Sequence, residues 1–154
     1  MADEIINRVA KSSLISIDLE DYYPIGNRMV IDIKDWLFEE LVLREKDFRT
    51  YVNTHDWSIY KDCYVAITCS TDAIIPAWAY MLVGLHLEPF AKQIIVGDLE
   101  QLEISLFHDI INSIEPRPFK HKPVIIKGCA NKPIPLNAFI MLAIKLKGYA
   151  KSIM

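Results

Sequence analysis

The sequence contains few glycines and few cysteines for its length. Only five of its 154 residues are glycine, and neither a Gly-x-Gly-x-x-Gly pattern nor a Walker loop occurs. Nucleotide binding by those routes is therefore excluded, because it needs glycine-rich loops that let the backbone approach the phosphates. The three cysteines, Cys63, Cys69 and Cys129, are a low and odd number. In a chain without a secretion signal they indicate reduced thiols and a cytoplasmic location.

The sequence also lacks a long apolar run and an excess of basic residues. Its longest apolar stretch, residues 73–85, contains Pro76 and Gly84 and is shorter than the roughly 20 residues that a bilayer requires. The first residues carry no basic segment followed by an apolar one, so they do not predict a signal peptide. A net charge of −3 leaves no basic footprint for nucleic acid. We expect neither membrane nor nucleic-acid binding.

The sequence does contain a large apolar fraction. Hydrophobic residues make up 52% of the chain and charged residues 24%, a balance typical of a globular protein with a rich core. This length predicts a single α/β domain over residues 1–154. So apolar a chain is expected to leave apolar surface exposed, which favours a homodimer or a larger homo-oligomer.

Strands and helices alternate along the second half of the chain. Tyr64–Thr68 is a β-branched, apolar run typical of a buried parallel strand, and Gln93–Val96 and residues 124–127 are similar. Residues 76–87 are apolar on nearly every side, which predicts a deeply packed helix. Asp98, with Gln101 three residues later, predicts a variant of the capping box at the start of the next helix. The residues expected in the core are Trp78, Leu82, Leu102, Leu106, Ile110, Phe139, Leu142 and Leu146. The alternation predicts a mostly parallel sheet with flanking helices. We expect the three strands to share one sheet.

The first half of the chain predicts a different arrangement. Residues 3–10 suit a short helix, and residues 14–17 and 29–33 suit two strands. Proline, glycine and asparagine in residues 24–27 indicate a turn between these strands. We therefore expect a hairpin-like, antiparallel pair of strands at the N-terminal end. Residues 44–53 predict a charged, exposed helix.

Two segments of the chain match when one is shifted by 59 residues. Nine of the thirty positions from 65 to 94 are identical to positions 124 to 153, including Pro76 on Pro135. With one residue of slip, Cys69 also falls on Cys129. The match predicts a duplicated strand–Cys loop–helix unit, with convergence of similar units as the alternative. The second copy reaches only Met154, which suggests a truncated C-terminus.

Several multi-residue words resemble those of a known family. They are Ile31-Asp32-Ile33-Lys34-Asp35-Trp36-Leu37-Phe38, Leu43-Arg44-Glu45-Lys46-Asp47-Phe48-Arg49, His55-Asp56-Trp57, Cys69-Ser70-Thr71-Asp72-Ala73-Ile74-Ile75-Pro76, Trp78-Ala79-Tyr80-Met81-Leu82 and Lys127-Gly128-Cys129. Together they resemble an uncharacterised domain-of-unknown-function family of Bacteroidetes-type bacteria over the whole chain. The resemblance implies no catalytic residues. It implies a short tail with one more cysteine beyond Met154, and a gene placed among iron–sulfur cluster assembly genes.

The two cysteine loops are the most informative feature for function. The polar residues that follow the two strands are Cys69, Ser70 and Asp72 in one loop and Cys129, Asn131 and Lys132 in the other. Ligands of open α/β sheets bind at the carboxyl ends of the strands, so the loops predict a shared ligand site. Its two thiols, Cys69 and Cys129, suit a soft metal ion or an iron–sulfur cluster. The alternative is that both cysteines are small core residues and that the polar residues cap helices.

Carboxylates and histidines form weaker patterns. Asp18 and Asp21 are echoed by Asp32 and Asp35. Such pairs suit a divalent cation, although helix caps and solvent-facing strand residues are the favoured interpretation. The four histidines show no ligand spacing, and we expect the two that lie within predicted helices, His86 and His108, to be structural.

Two classes of function remain. One is an accessory factor of iron–sulfur cluster assembly, with a two-cysteine thiol or metal site and the assembly machinery as its protein partner. The alternative is a non-catalytic protein-interaction module with structural cysteines. A classical enzyme is favoured least, because no histidine lies near either cysteine in sequence to act as its base.

Overall fold

The computed structural model describes residues 14–128 and 130–154. The helix predicted over residues 3–10 therefore lies outside the described residues, as does Cys129. The described strands are β1 Ile15–Asp18, β2 Arg28–Asp32, β3 Tyr64–Thr68, β4 Gln93–Val96, β5 Pro123–Lys127 and β6 Ser152–Ile153. The described α-helices are α1 Glu45–Thr54, α2 Ala77–Leu87, α3 Leu99–Ser113 and α4 Leu136–Leu146. Short 3-10 helices follow β1, β2, α1 and α3.

The chain divides into two compact units. The first unit combines the residues up to Pro24 with Phe107–Met154, and the second unit is Ile25–Leu106. The second unit is therefore an insertion, in sequence, between the two parts of the first. The division falls inside α3, whose first half belongs to the second unit and whose second half belongs to the first.

The second unit is built on a parallel sheet in the order β2-β3-β4. Apolar side chains of β3 are fully buried, as the β-branched run predicts, because a parallel sheet is covered on both faces. One face packs against α1 and α2, and Phe48 and Val52 are the fully buried residues of α1. Ala66, on the other face of β3, packs against Leu102 and Leu106 of α3.

The first unit repeats this plan. Its sheet has the order β1-β5-β6, and both pairings are parallel. Leu142 and Leu146 of α4 are fully buried against this sheet, together with Phe107 and Ile111 from the second half of α3. The strand–loop–helix–strand order of β5, α4 and β6 matches that of β3, α2 and β4. Both units thus share one strand–loop–helix–strand order, which duplication and convergence explain equally well.

The predicted N-terminal hairpin is wrong. β1 pairs with β5, β2 pairs with β3, and both pairs are parallel. The alternation of apolar and polar residues predicts a strand, but it does not specify which strand is its partner. The turn between β1 and β2 was therefore a poor guide to their pairing. The expectation of one sheet for β3, β4 and β5 is also wrong, because β5 lies in a separate sheet with β1.

Burial along α2 departs from the sequence prediction. Ala79, Val83 and Leu87 form its fully buried side, but Met81 and Leu85 point outward, and Leu85 is 70% exposed. A helix without charged residues is normally covered all round. The packing of this chain therefore gives no reason for the apolar residues on the outward side of α2.

Two polar contacts fix α3 in the second unit. Asp98 and Gln101 form a reciprocal capping box, with both backbone N–H to side-chain oxygen distances at 2.8 Å. Gly97 precedes it with φ +150°, and a side chain there would collide with Gln101. Further along, Glu103 accepts hydrogen bonds from Arg28 Nε at 2.6 Å and Nη2 at 3.3 Å. Breaking so enclosed an ion pair leaves an uncompensated charge.

None of the helices in the described part of the chain has the length and apolar character needed to cross a membrane.

Candidate functional site

The loop that follows β3 is anchored by a carboxylate from the neighbouring strand. Asp32, the last residue of β2, accepts a hydrogen bond from Ser70 Oγ at 2.6 Å and one from the Ser70 backbone N–H at 3.2 Å. Because β2 and β3 are parallel, their carboxyl ends meet at one edge, with Asp32 directly opposite Thr68. The same carboxylate also caps the 3-10 helix after β2 by accepting from Lys34 N.

These hydrogen bonds determine the charge at this edge. Burial raises the pKa of Asp32, but hydrogen bonds from Ser70 and from the Lys34 backbone more than offset it, so the pKa is lowered overall. Asp32 is therefore an ionised acceptor at neutral pH and a poor general base. Burial, with smaller effects of Cys69 and Asp32, raises the pKa of the Tyr80 hydroxyl. Tyr80 thus stays neutral beside the carboxylate.

Cys69 lies at the same edge, and Thr71, its hydrogen-bond partner, is uncharged. Its Sγ lies 3.4 Å from Thr71 Oγ1 and 3.9 Å from the Thr71 carbonyl oxygen. Neither of these partners is a base or a cation of the kind that activates a thiol. The side chain is partly exposed, whereas Cys63 is buried with its thiol donating to the Lys61 carbonyl oxygen. Cys69 is thus the accessible one of the two described cysteines.

The loop that follows β5 is anchored by an equivalent device. Glu20, in the 3-10 helix after β1, accepts hydrogen bonds from the backbone N–H groups of Asn131 at 2.7 Å and Lys132 at 3.3 Å. The Asn131 bond is the largest of the effects that lower the pKa of Glu20. Lys132 also reaches back, with Nζ 3.5 Å from the Glu20 carbonyl oxygen. In this loop, too, a carboxylate just past the end of the neighbouring strand holds the loop backbone.

The structure groups the predicted site residues by loop. Cys69 and Ser70 lie together with Asp32, and Asn131 and Lys132 lie together with Glu20. Asp72 is exposed and lines a groove of the second unit. The predicted approach of Cys69 to Cys129 stays a prediction, because Cys129 lies outside the described residues.

Sequence reasoning missed the two carboxylates that hold the loops. In the sequence, Asp32 and Asp35 repeat the spacing of Asp18 and Asp21, and Glu20 lies within the first of these two segments. The echo does mark two equivalent turns, since Asp18 and Asp32 both cap 3-10 helices through their side chains. The capping interpretation of these two residues is therefore confirmed. Within residues 14–128 and 130–154, no three or more histidine, cysteine, aspartate or glutamate side chains are grouped to hold a metal ion.

The histidines of the second unit belong to an aromatic cluster. His55 Nε2 lies 2.8 Å from Tyr60 Oη, and its ring packs edge-on against Trp36 and Trp57. His86 packs against the same Trp57, with its ring centroid 5.4 Å from that of the tryptophan. Its Nδ1 lies 2.9 Å from the Leu82 carbonyl oxygen. These contacts agree with a structural role for His86.

Comparison with known proteins now decides the family. A family model described as "Protein of unknown function (DUF2480)" matches residues 3–154. The chain belongs to the DUF2480 family. This confirms the resemblance read from the sequence words, since the match covers nearly the whole chain. Neither a curated protein nor a solved structure matches this DUF2480 chain.

Proposed function

We propose that this DUF2480 protein is a non-catalytic protein-interaction module that associates with a second copy of itself. The observation that carries the proposal is an uncharged, exposed row of residues on α4. Leu136, Ile140 and Ile144 lie four residues apart on its outward side, with Leu136 78% and Ile144 68% exposed. Residues at this spacing form one continuous ridge along a helix.

The only charged residue of α4 does not interrupt this ridge. Lys145 Nζ donates to the carbonyl oxygens of Ile111 at 2.6 Å and Asn112 at 2.8 Å, near the end of α3. The ammonium group is therefore turned toward its own unit. An amphipathic surface helix normally presents charged residues outward, and this ridge presents none.

A second copy suits the chemistry of this ridge. The interface of a two-fold dimer must be complementary to itself, and an uncharged aliphatic ridge meets that condition without opposing like charges. The repeat supplies a second surface of the same kind, because Met81 and Leu85 of α2 fall on Ile140 and Ile144.

Light scattering over a wide concentration range tests this proposal. The wild-type chain should sediment and scatter as a dimer or larger assembly at micromolar concentration. Ile140→Glu buries a charge in the interface and should shift the mass to that of a monomer. Ile59→Glu, at an exposed residue outside both ridges, is the matched control and should leave the assembly intact. A wild-type chain that stays monomeric throughout rejects the proposal.

A thiol or metal site serving iron–sulfur cluster assembly is the second candidate. What supports it is the place of Cys69, partly exposed and at the carboxyl end of two adjacent strands, where α/β proteins bind ligands. A complete soft-metal site takes about four ligands, so Cys69 would share the ion with groups of a partner protein. Metal and sulfide content of the chain purified without oxygen tests this candidate. A Cys69→Ser variant with unchanged content rejects it.

A further inference from the structure

A second apolar surface lies in the second unit, apart from the helix ridges used above. It is a groove of about 570 Å³ lined by apolar side chains and two carboxylates, among them Leu41, Val42, Ile74, Trp78, Glu45 and Asp72. We call it the acidic groove. Two segments form most of its wall: the turn before α1 and the loop after β3.

Exposure argues that the acidic groove is a docking surface rather than an enclosed ligand pocket. Ile74 is 92% exposed, and Leu41 and Val42 are each more than half exposed. Small-molecule pockets bury most of the ligand and keep their apolar walls enclosed. Exposed apolar side chains gathered at one groove are typical of a protein–protein contact.

The turn that presents Leu41 and Val42 is held in a strained conformation. Phe38 and Val42 pair across it, with the Phe38 N–H donating to the Val42 carbonyl oxygen at 2.8 Å. Both residues at its tip, Glu39 and Glu40, have positive φ, at 51° and 60°. Such a turn prefers asparagine and glycine, and strain of this kind is commonly kept where a surface has a task.

Charge selects the occupant. Glu45 and Asp72 line the groove. Glu45 is already paired with Arg49, whereas none of the ion pairs within the described part of the chain involves Asp72, so Asp72 is the carboxylate that can meet a partner. The chain itself shows which group suits this surface, because Arg49 pairs with Glu45 at 3.1 Å and stacks over Trp78 at 4.8 Å. A guanidinium or ammonium group beside an aromatic ring and a carboxylate is favourable. The Asp72 carboxylate repels the phosphate groups of lipids and nucleic acids.

We propose that the acidic groove binds a segment of a partner protein in which a lysine or arginine is flanked by apolar side chains. The basic residue pairs with Asp72, and the apolar side chains cover Ile74, Leu41 and Val42. This inference goes beyond self-association through α2 and α4, because it uses other residues and a different partner.

Selection from a library of random peptides displayed on phage tests the proposal without assuming a sequence. The wild-type chain is the target, and the Asp72→Lys variant is used to remove peptides that bind elsewhere. Enriched peptides should share a lysine or arginine next to apolar residues. Their affinity, measured by fluorescence anisotropy, should fall roughly tenfold with Asp72→Lys, since reversing one exposed charge turns attraction into repulsion. Ile74→Ser should weaken binding by a similar factor through lost apolar burial.

Matched variants keep the result specific. Asp109→Lys makes the same charge change at an exposed residue of α3 and should leave peptide affinity within about twofold of wild type. Ile140→Glu should abolish self-association and leave peptide binding unchanged, so the two proposals fail separately. Asp72 and Ile74 are exposed, and their variants should unfold at the wild-type temperature.

Three results overturn the proposal. The first is a selection that enriches no peptide dependent on Asp72. The second is enrichment of acidic or wholly polar peptides. The third is an Ile74→Ser chain that becomes monomeric in light scattering, because the occupant of the groove would then be a second copy.

Discussion

Ser70 Oγ donates a 2.6 Å hydrogen bond to Asp32 Oδ2, although 38 residues separate the two in sequence. The bond ties the end of β2 to the loop after β3. Cys69 is the residue directly before this anchored serine. This relationship yields the first prediction.

Ser70→Ala should raise the pKa of Asp32, because it removes the side-chain donor to the carboxylate. The pKa of Asp32 is lower in the folded chain than its ordinary value of 3.8. Its contribution to stability is therefore complete above the ordinary value and disappears as the pH falls through the folded one. The variant should be less stable than wild type at neutral pH. The two proteins should be equally stable at a pH low enough to protonate Asp32 in both. Thermal unfolding across acid pH measures this, with Ser113→Ala as control, and a constant difference at all pH values contradicts it.

Glu20→Gln should loosen the loop after β5. The carboxylate holds the backbone N–H groups of Asn131 and Lys132, and a neutral amide oxygen accepts such bonds less strongly. Hydrogen exchange at these two amides should become faster. Asp21→Asn, in the same 3-10 helix, is the control and should leave both rates unchanged. Equal rates in wild type and Glu20→Gln would show that the anchor is not needed.

Phe48→Ala should lower the free energy of unfolding by about 3–5 kcal/mol, because the ring is fully buried and its removal leaves a cavity. Trp78→Ala should lower it by less, since Trp78 is only half-buried. The sequence predicted Trp78 and Phe139 as core residues, but both are half-buried. Ile59→Ala, at an exposed position, should stay within about 0.5 kcal/mol of wild type. Urea unfolding gives all three values. A larger loss for Trp78→Ala than for Phe48→Ala would contradict this order.

Replacing Glu39-Glu40 by Asn-Gly should raise the free energy of unfolding by about 1 kcal/mol. Both residues have positive φ, a conformation that costs roughly 1–2 kcal/mol for an ordinary residue and little for glycine. Glu100→Gly is the control, because the same change inside α3 should cost about 0.5–1 kcal/mol. Denaturant unfolding measures both. Destabilisation by the Asn-Gly change would show that the turn is not strained.

Native alkylation should label Cys69 before Cys63. Cys69 is partly exposed, whereas Cys63 is buried in the core of the second unit. The reagent should therefore reach Cys69 first. The Cys69→Ser and Cys63→Ser chains assign the labelled peptides in mass spectrometry. Labelling of Cys69 only after unfolding would remove the basis for a thiol site at this edge.

Local structure could be read from the sequence to a large extent. The β-branched run of β3, the Asp98–Gln101 cap and the charged helix α1 were predicted because each depends on neighbours a few residues away. The repeat was also visible, since nine identical residues survive at one shift. Burial of Leu102, Leu106, Leu142 and Leu146 followed from helical spacing and is confirmed. Leu82 and Ile110, also predicted as core residues, are half-buried instead.

The candidate site could be predicted only in part. Each cysteine loop was located from the strand before it and from the matching Pro76 or Pro135 after it. The carboxylate that holds each loop was not predicted. Asp32 reaches Ser70 and Glu20 reaches Asn131 across 38 and 111 residues. No local pattern specifies such a contact, because it depends on which strands are neighbours.

The sequence by itself determined the strands, the helices and their caps, since these follow from backbone sterics and from the spacing of apolar residues along a short stretch. Only the tertiary structure decided that β1 joins β5 while β2 joins β3, because a strand's pattern is equally compatible with any partner that covers its apolar face. Tertiary packing also decided which side of the wholly apolar α2 is buried, since its residues offer the same hydrophobic gain in every direction. Which residues form the outward ridge of α2 is known only from the packing of its other side against the sheet.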